Sequence, residues 1–299
     1  MSKISILLFV ALVFTCLSAP ILAREDTSQA AIKTVIFDFT TTQTSYSDSW
    51  VGGEAGSLNW VSNLNAFTRS FFNPKFEMRS RLKLSFGQTL TQDADTKQWS
   101  RPQKSTDLID FESVGSYLTK WPVNPYVAFR AETQFYDGRN SYKKLFLTPL
   151  KLTESAGATR KFYEKDKDYV ASRLGPGIRQ IITKSITDTV TLATESETTT
   201  DAGFESVSEA DIPVHKNIRY YGKLSLYKAL AFSKSDEVKG TSVEDYWKSI
   251  DVNFENSFNA AVTKIIAVNL YLQLLYDKEI SKKGRIKETV ALGLTFRMI

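Results

Sequence analysis

Residue types that commonly carry catalysis are thinly supplied in this chain. A hydrolytic site wants a nucleophile beside a base, usually serine with histidine. The single histidine, His215, stands in a short polar connection, Asp211 to Lys216, where it reads as plain surface. No histidine pair, cysteine cluster or calcium-loop spacing occurs, so neither a metal site nor a cofactor is expected. A hydrolase acting on lipid or lipopolysaccharide would have to rely on carboxylates in the polar connections, such as Asp93, Asp137 and Glu244. The expectation is a chain that is not an enzyme.

Charges spaced by two carry more information. Arg79, Arg81 and Lys83 alternate with apolar neighbours, as do Arg130 with Glu132, Asp251 with Glu255, and singly Arg219, Lys223 and Arg297. On extended backbone each such set shares one face. If that face lines an enclosed interior, the charges either select solutes passing through a pore or neutralise one another and fill a narrow lumen. Opposite signs favour filling. The three consecutive cations favour anions if a path is open.

The elements that must position these charges are strands. The last fifty or so residues hold three alternating runs. Ile250, Val252, Phe254 and Phe258 oppose Asp251, Asn253, Glu255, Ser257 and Asn259; Ile266, Val268, Leu270, Leu272 and Leu274 oppose Asn269, Tyr271 and Gln273; Val290, Leu292, Leu294, Phe296 and Met298 oppose Thr289, Ala291, Gly293, Thr295 and Arg297. Upstream, the same period appears around residues 34–40, 58–65, 78–86, 107–118, 127–135 and 218–230, and less cleanly around 145–155, 177–189 and 200–210. Pro149 and Pro176 weaken the sixth and seventh, since proline cannot donate to a ladder. The total is twelve strands.

Connection lengths then distinguish a membrane barrel from a soluble sandwich. Those after strands two, four, eight and ten are short, and those after one, three, five and nine are longer and polar. Only the stretch after strand six, residues 158–172 with the charge run Lys161 to Lys167, breaks the rule, and it reads as a solvated connection. Even strand number and alternating connection lengths belong to an up-and-down transmembrane antiparallel barrel. The clean runs also reach the 9 to 11 or so residues that a tilted strand needs to span a bilayer. A row such as Asp251, Asn253, Glu255, Ser257 and Asn259 cannot occupy a dry sandwich core. Trp50, Trp121, Tyr246, Trp247 and Tyr276 near strand ends suit interfacial girdles.

Residues 1–23 read as a secretory signal, with Lys3 at its start, an apolar middle from Ile4 to Leu17, and cleavage after Ala23 or Ala19; residues 24–299 form the barrel. The only cysteine, Cys16, lies in that signal, so disulfides do not hold the exported chain together. Charge is mixed, 38 basic against 33 acidic residues without a basic block, which argues against nucleic acid as a partner. Trp50 with Gly52 and Gly53 makes either a ligand-gripping loop or a tight bend at the interface. The C-terminal run is similar to barrel-assembly signals through Gly293, Phe296 and Met298, though it closes on Met298-Ile299 instead of a terminal phenylalanine.

Several short motifs, in order, resemble an outer-membrane barrel family filed as domain of unknown function 3078. They are Gln43-Thr44-Ser45 with Ser49-Trp50 and Gly52-Gly53; Leu82, Leu84 and Phe86-Gly87; Lys104, Asp107 and Ile109-Asp110-Phe111; Thr133-Gln134-Phe135 with Gly138; and Pro149 and Pro176. The resemblance implies an outer-membrane β-barrel with no established activity. The expected role is a narrow passive channel or a structural envelope component, with outer-membrane lipid, the barrel-assembly machinery and, for an open lumen, a small solute as partners. The alternatives are the lipid hydrolase above and a surface adhesin using long loops such as Thr91 to Ser105.

Overall fold

The structure is a computed structural model and describes residues 31–47, 54–139 and 142–297. The signal segment, Trp50, Gly52, Gly53 and Met298 lie outside the described residues. The elements are β1 (Ile32–Thr44), β2 (Ser57–Asn73), β3 (Phe76–Thr91), β4 (Gln103–Tyr117), β5 (Asn124–Thr133), β6 (Tyr136–Asp137), β7 (Leu145–Phe146), β8 (Leu150–Lys165), β9 (Asp168–Asp188), β10 (Ala193–His215), β11 (Ile218–Phe232), α1 (Ser235–Val238), β12 (Ile250–Ala261), β13 (Ile266–Asp277) and β14 (Ser281–Arg297).

Twelve of these strands close into one antiparallel barrel, each beside its sequence neighbour, with β14 returning to β1; β6 and β7 form a separate two-stranded piece. Closure matters because every backbone N–H and C=O in a bilayer needs a partner, and an open sheet leaves two edges without one. The seam pairs Ile36 with Arg297, Phe37 with Phe296, Asp38 with Thr295 and Phe39 with Leu294. At one end, the turn end, the strands are joined by residues 74–75, 118–123, 166–167, 216–217 and 262–265. At the other, the loop end, lie 45–56, 92–102, 134–149, 189–192, 233–249 and 278–280.

The expected solvated connection at residues 158–172 is not there. Lys161 and Glu164 belong to β8, Tyr169 and Ser172 to β9, and only Asp166 and Lys167 turn the chain, with Asp166 at φ +53°. The run continues the strand at Lys161 and Glu164, whose charges have partners inside the barrel, as described below. With that correction, every connection at the turn end is short. β10 is likewise far longer than the expected 200–210. Its upper part pairs with β9 beyond the ends of both flanking ladders, which stop at Ile182 on one side and Asp201 on the other. Residues 183–199 therefore stand above the rim as a two-stranded ribbon.

Pro176 sits inside β9 where the β8–β9 ladder is interrupted between the pairs Ser155 with Gly177 and Ala158 with Leu174. The backbones come so close there that a Cβ on Gly175 would lie 1.9 Å from the Ala156 carbonyl oxygen, and one on Gly157 2.2 Å from that of Leu174. Only glycine fits at either position.

Alternation assigns the two faces of the wall. Ion pairs between strands that are not neighbours in the barrel, such as Lys83 on β3 with Glu255 on β12, can form only through the interior. Lys83, Asp110 and Arg130 hence point inward, and Leu82, Phe111 and Phe129 outward. The outward set on β2–β5 packs tightly: Ala66, Leu82 and Phe111 form a buried cluster flanked by Val35, Leu64, Leu84 and Phe129. On β12–β14 the outward residues Phe254, Phe258, Leu270, Leu272, Leu274, Val290, Leu292 and Leu294 are all exposed. Outward polar groups are satisfied on the wall itself, as in Ser80 with Ser113 at 3.0 Å, Ser172 with Ser208 at 2.7 Å and Tyr220 donating to Asn256 at 2.8 Å.

Candidate functional site in the barrel interior

The interior is lined by charge, and the charge is paired. Near the turn end, Arg69 and Arg79 grip Glu77 at 2.5 and 2.9 Å, Lys161 reaches the same carboxylate at 2.6 Å, and Glu164 joins both arginines. Glu77 is 1% exposed, so these cations offset a desolvation cost that would otherwise neutralise it. Arg219 holds Asp168 and Asp211 at 2.7 and 2.6 Å, and Arg81 lies 3.8 Å from Asp211 while donating to the Tyr169 hydroxyl at 2.9 Å.

Halfway up, the pairs cross the lumen. Lys83 on β3 meets Glu255 on β12 at 2.8 Å, and Lys223 on β11 meets Glu112 on β4 at 2.7 Å. Arg130 on β5 takes Asp110 in a two-pronged contact at 2.9 and 3.0 Å and reaches Glu132 at 3.1 Å and Glu255 at 3.9 Å. Arg173 shares Glu112 with Lys223. Above this layer Arg179 joins Asp201 at 2.8 Å and Asp251 at 2.5 Å.

This layer separates two chambers that share no lining residue. The lower is walled by Glu77, Arg79, Arg81, Glu112, Tyr169 and Arg173 among others. The upper is walled by Arg130, Arg179, Tyr227, Asp251, Asp277 and Arg285 among others.

Of the charges expected to line a lumen, Arg79, Arg81, Lys83, Arg130, Glu132, Arg219, Lys223, Asp251 and Glu255 each have a carboxylate or cation partner across or along the interior. Each member of the three-cation row Arg79, Arg81 and Lys83 is met by an acid: Glu77 and Glu164, Asp211, and Glu255. Arg297 pairs through its backbone with Ile36 at the seam. Gly293 lies beside that seam, where a Cβ would sit 2.6 Å from Thr40 Oγ1 and 2.7 Å from the Phe39 carbonyl oxygen, and Phe296 is exposed on the outer wall. Sequence reasoning missed Glu77, Glu112, Arg173, Arg179, Glu205 and Glu209. The available signal was the alternation Asp201, Glu205, Glu209, Asp211 on β10 and Arg173, Arg179 on β9.

The loop carboxylates considered for hydrolysis are engaged locally and lie on separate loops. Asp93 accepts the Thr96 backbone N–H and hydroxyl at 2.7 and 2.9 Å, which holds its carboxyl below the ordinary range. Asp137 is lowered by its hydrogen bonds from Arg139, and Glu244 accepts the Gly240 N–H at 2.9 Å. His215 ends β10, exposed at the turn end. Among the described residues no group of three or more His, Cys, Asp and Glu is arranged to hold a metal ion.

Of the aromatics assigned to girdles, Trp121 is exposed in the 118–123 turn at one end. At the other, Trp247 packs against Phe232 with centroids 5.9 Å apart, and Lys278 and Lys282 lie over Tyr246. Trp60 and Phe86 make a further contact near the loop end at 5.8 Å.

Residues 41–138 match the model of a family described as protein of unknown function (DUF3078). No curated protein matches the chain. Among solved structures, the chain is similar to the COG4313 outer membrane channel from Pseudomonas putida F1, at 15% identity and a TM-score of 0.40 over 92% of this chain and 97% of that one. It is also similar to the translocator domain of the autotransporter NalP from Neisseria meningitidis, at 8% identity and 0.34 over 98% of each, and to the NanC porin, at 7% and 0.32 over 89% and 100%.

Proposed function

We propose that this chain is an integral outer-membrane barrel whose lumen is shut by ion pairs, and that it serves the envelope as a structural component instead of an open diffusion pore. The observation that carries this reading is the mid-lumen layer, in which Lys83 meets Glu255 and Lys223 meets Glu112 from opposite walls at 2.8 and 2.7 Å. A charge-selective pore needs side chains free to exchange with a passing ion. Here the cations and acids of the layer are committed to one another. The exposed apolar outer wall of β12–β14 supports lipid as the surrounding solvent. Phe296 on that wall and Gly293 beside the seam are the features we assign to recognition by barrel-assembly machinery.

Reconstitution in planar bilayers tests the reading. The wild-type protein is expected to give no conductance steps. A variant lacking both partners of both crossing pairs (Lys83→Ala, Glu255→Ala, Lys223→Ala, Glu112→Ala), in which Arg173 keeps its contact with Glu205 at 3.9 Å, is expected to conduct. Steps from the wild type would overturn closure and make the protein a narrow channel.

A further inference from the structure

The upper chamber holds charge that is not settled internally. Of the cations that line it, Arg130, Lys151 and Arg179 have carboxylate partners, whereas Arg285 has none among the described residues. Its Nε is buried without a hydrogen-bond partner, as is the Ser225 hydroxyl on the same wall. Of the acids, Glu132, Glu205 and Asp251 face cations, but Asp277 does not; its Oδ1 only accepts the Glu279 and Ile280 N–H groups at 3.0 and 3.4 Å.

Arg285 pairs through its backbone with Leu275, and Asp277 follows two residues later on the same inward face of β13. The ladder is irregular between the two positions, Asp277 standing opposite Ser281, and the two side chains form no ion pair although both line the chamber. The gap lies at the chamber mouth, beside Ile280, which is 67% exposed in the turn between β13 and β14. A solute arriving from the loop end therefore meets, in one chamber, a guanidinium and a carboxylate that have no ion-pair partner among the described residues.

We propose that the upper chamber binds a small zwitterionic solute of the amino-acid class, with its carboxylate on the Arg285 guanidinium and its ammonium toward Asp277. A guanidinium favours a planar carboxylate, which it can take with two parallel hydrogen bonds. The acids already around the chamber, Glu132, Asp251 and Asp277, disfavour a ligand with net negative charge and favour one that carries its own cation. The proposal is independent of whether the layer below conducts, since it needs only access from the loop end.

Calorimetric titration of the folded protein in detergent with L-alanine, acetate and ethylamine tests it. Saturable heat is expected with L-alanine, at least tenfold weaker binding of acetate and of ethylamine, and at least tenfold weaker L-alanine binding in Arg285→Gln and in Asp277→Asn. Folding of each variant is checked by heat-modifiable gel mobility, and Arg285→Lys is the second variant should Arg285→Gln not fold. No heat from L-alanine, unchanged binding in the folded variants, or acetate binding as tightly as L-alanine would each overturn the proposal.

Discussion

The wall built from β12–β14 and the wall built from β8–β10 divide apolar and charged side chains in different proportions. On β12–β14 the outward row is large and apolar, with Phe254, Leu270, Leu272, Val290 and Leu292 exposed, while inward positions include the small residues Ala267, Ala291 and Gly293. On β8–β10 the outward row mixes exposed Leu174, Ile178 and Phe204 with Ala156, Ala158, Ser172, Ser206 and Ser208, and the inward row supplies Arg173, Arg179, Asp201, Glu205 and Glu209, most of them buried. Both walls show apolar residues outward and charge inward, as Asp251 and Glu255 do on β12, but the apolar row is unbroken on β12–β14 and the charged row is denser on β8–β10. A barrel strand needs only one committed face, because the ladder itself is indifferent to which side supplies the side-chain energy.

The largest expected effect breaks the β8–β10 wall. Glu112→Ala leaves Arg173 and Lys223 buried beside a missing carboxylate, and stranding buried charge costs about 3–5 kcal/mol. Urea unfolding in detergent micelles should register that loss. The β12–β14 wall is broken from the other side: Leu272→Arg should cost about 2–4 kcal/mol in lipid vesicles if the belt faces hydrocarbon. The same change at Ser208 should cost less. Equal tolerance at both positions would remove the distinction between the walls.

Backbone crowding sharpens the comparison further. Gly175→Ala drives a Cβ into the Ala156 carbonyl and should cost about 1–3 kcal/mol, in the range of overpacked sites. Gly284→Ala on β14 meets nothing within 4 Å and should be close to neutral. Paired unfolding curves of the two variants would show it.

The smallest effect is a pH dependence at the rim. Burial pushes Glu279, in the turn after β13, up to about 7, with Asp277 adding to the rise and Arg179 opposing it. The folded state then holds a proton that the unfolded state releases near the ordinary carboxylate value of 4.5. Stability should fall as pH rises from about 4.5 to 7 and level off above, the direction linkage requires when the native state binds more protons. Glu279→Gln should flatten that slope.

The contrast between walls also explains what could be read from residue order. The β12–β14 pattern is plain because alternation of Leu270, Leu272 and Leu274 with Asn269, Tyr271 and Gln273 is a contrast in polarity. On β8–β10 serine and alanine interrupt the outward apolar residues, so the alternation is weaker there and Lys161 to Lys167 reads as a loop. Arg79, Arg81 and Lys83 could be recognised as one face from spacing alone. That each would meet an acid from another strand depends on barrel diameter and strand stagger, which no local pattern encodes. Arg285 and Asp277 escaped notice for the same reason, since being unpaired is a property of the assembled interior.

The short ladder between β1 and β14 has a kinetic consequence. Among the described residues it comprises Ile36 to Phe39 against Leu294 to Arg297, whereas β9 and β10 pair from Tyr169 through Asp188. Hairpins joined by tight turns can zip locally, but the two ends of the sheet must find each other across nearly the whole chain, the slowest kind of encounter for a polypeptide. Until they do, the growing sheet carries two unpaired margins, and the last register to lock is the one with the fewest rungs. Nascent copies would therefore be most vulnerable to mispairing at Ile36 to Phe39, and a catalyst of insertion would act most usefully by sheltering that margin.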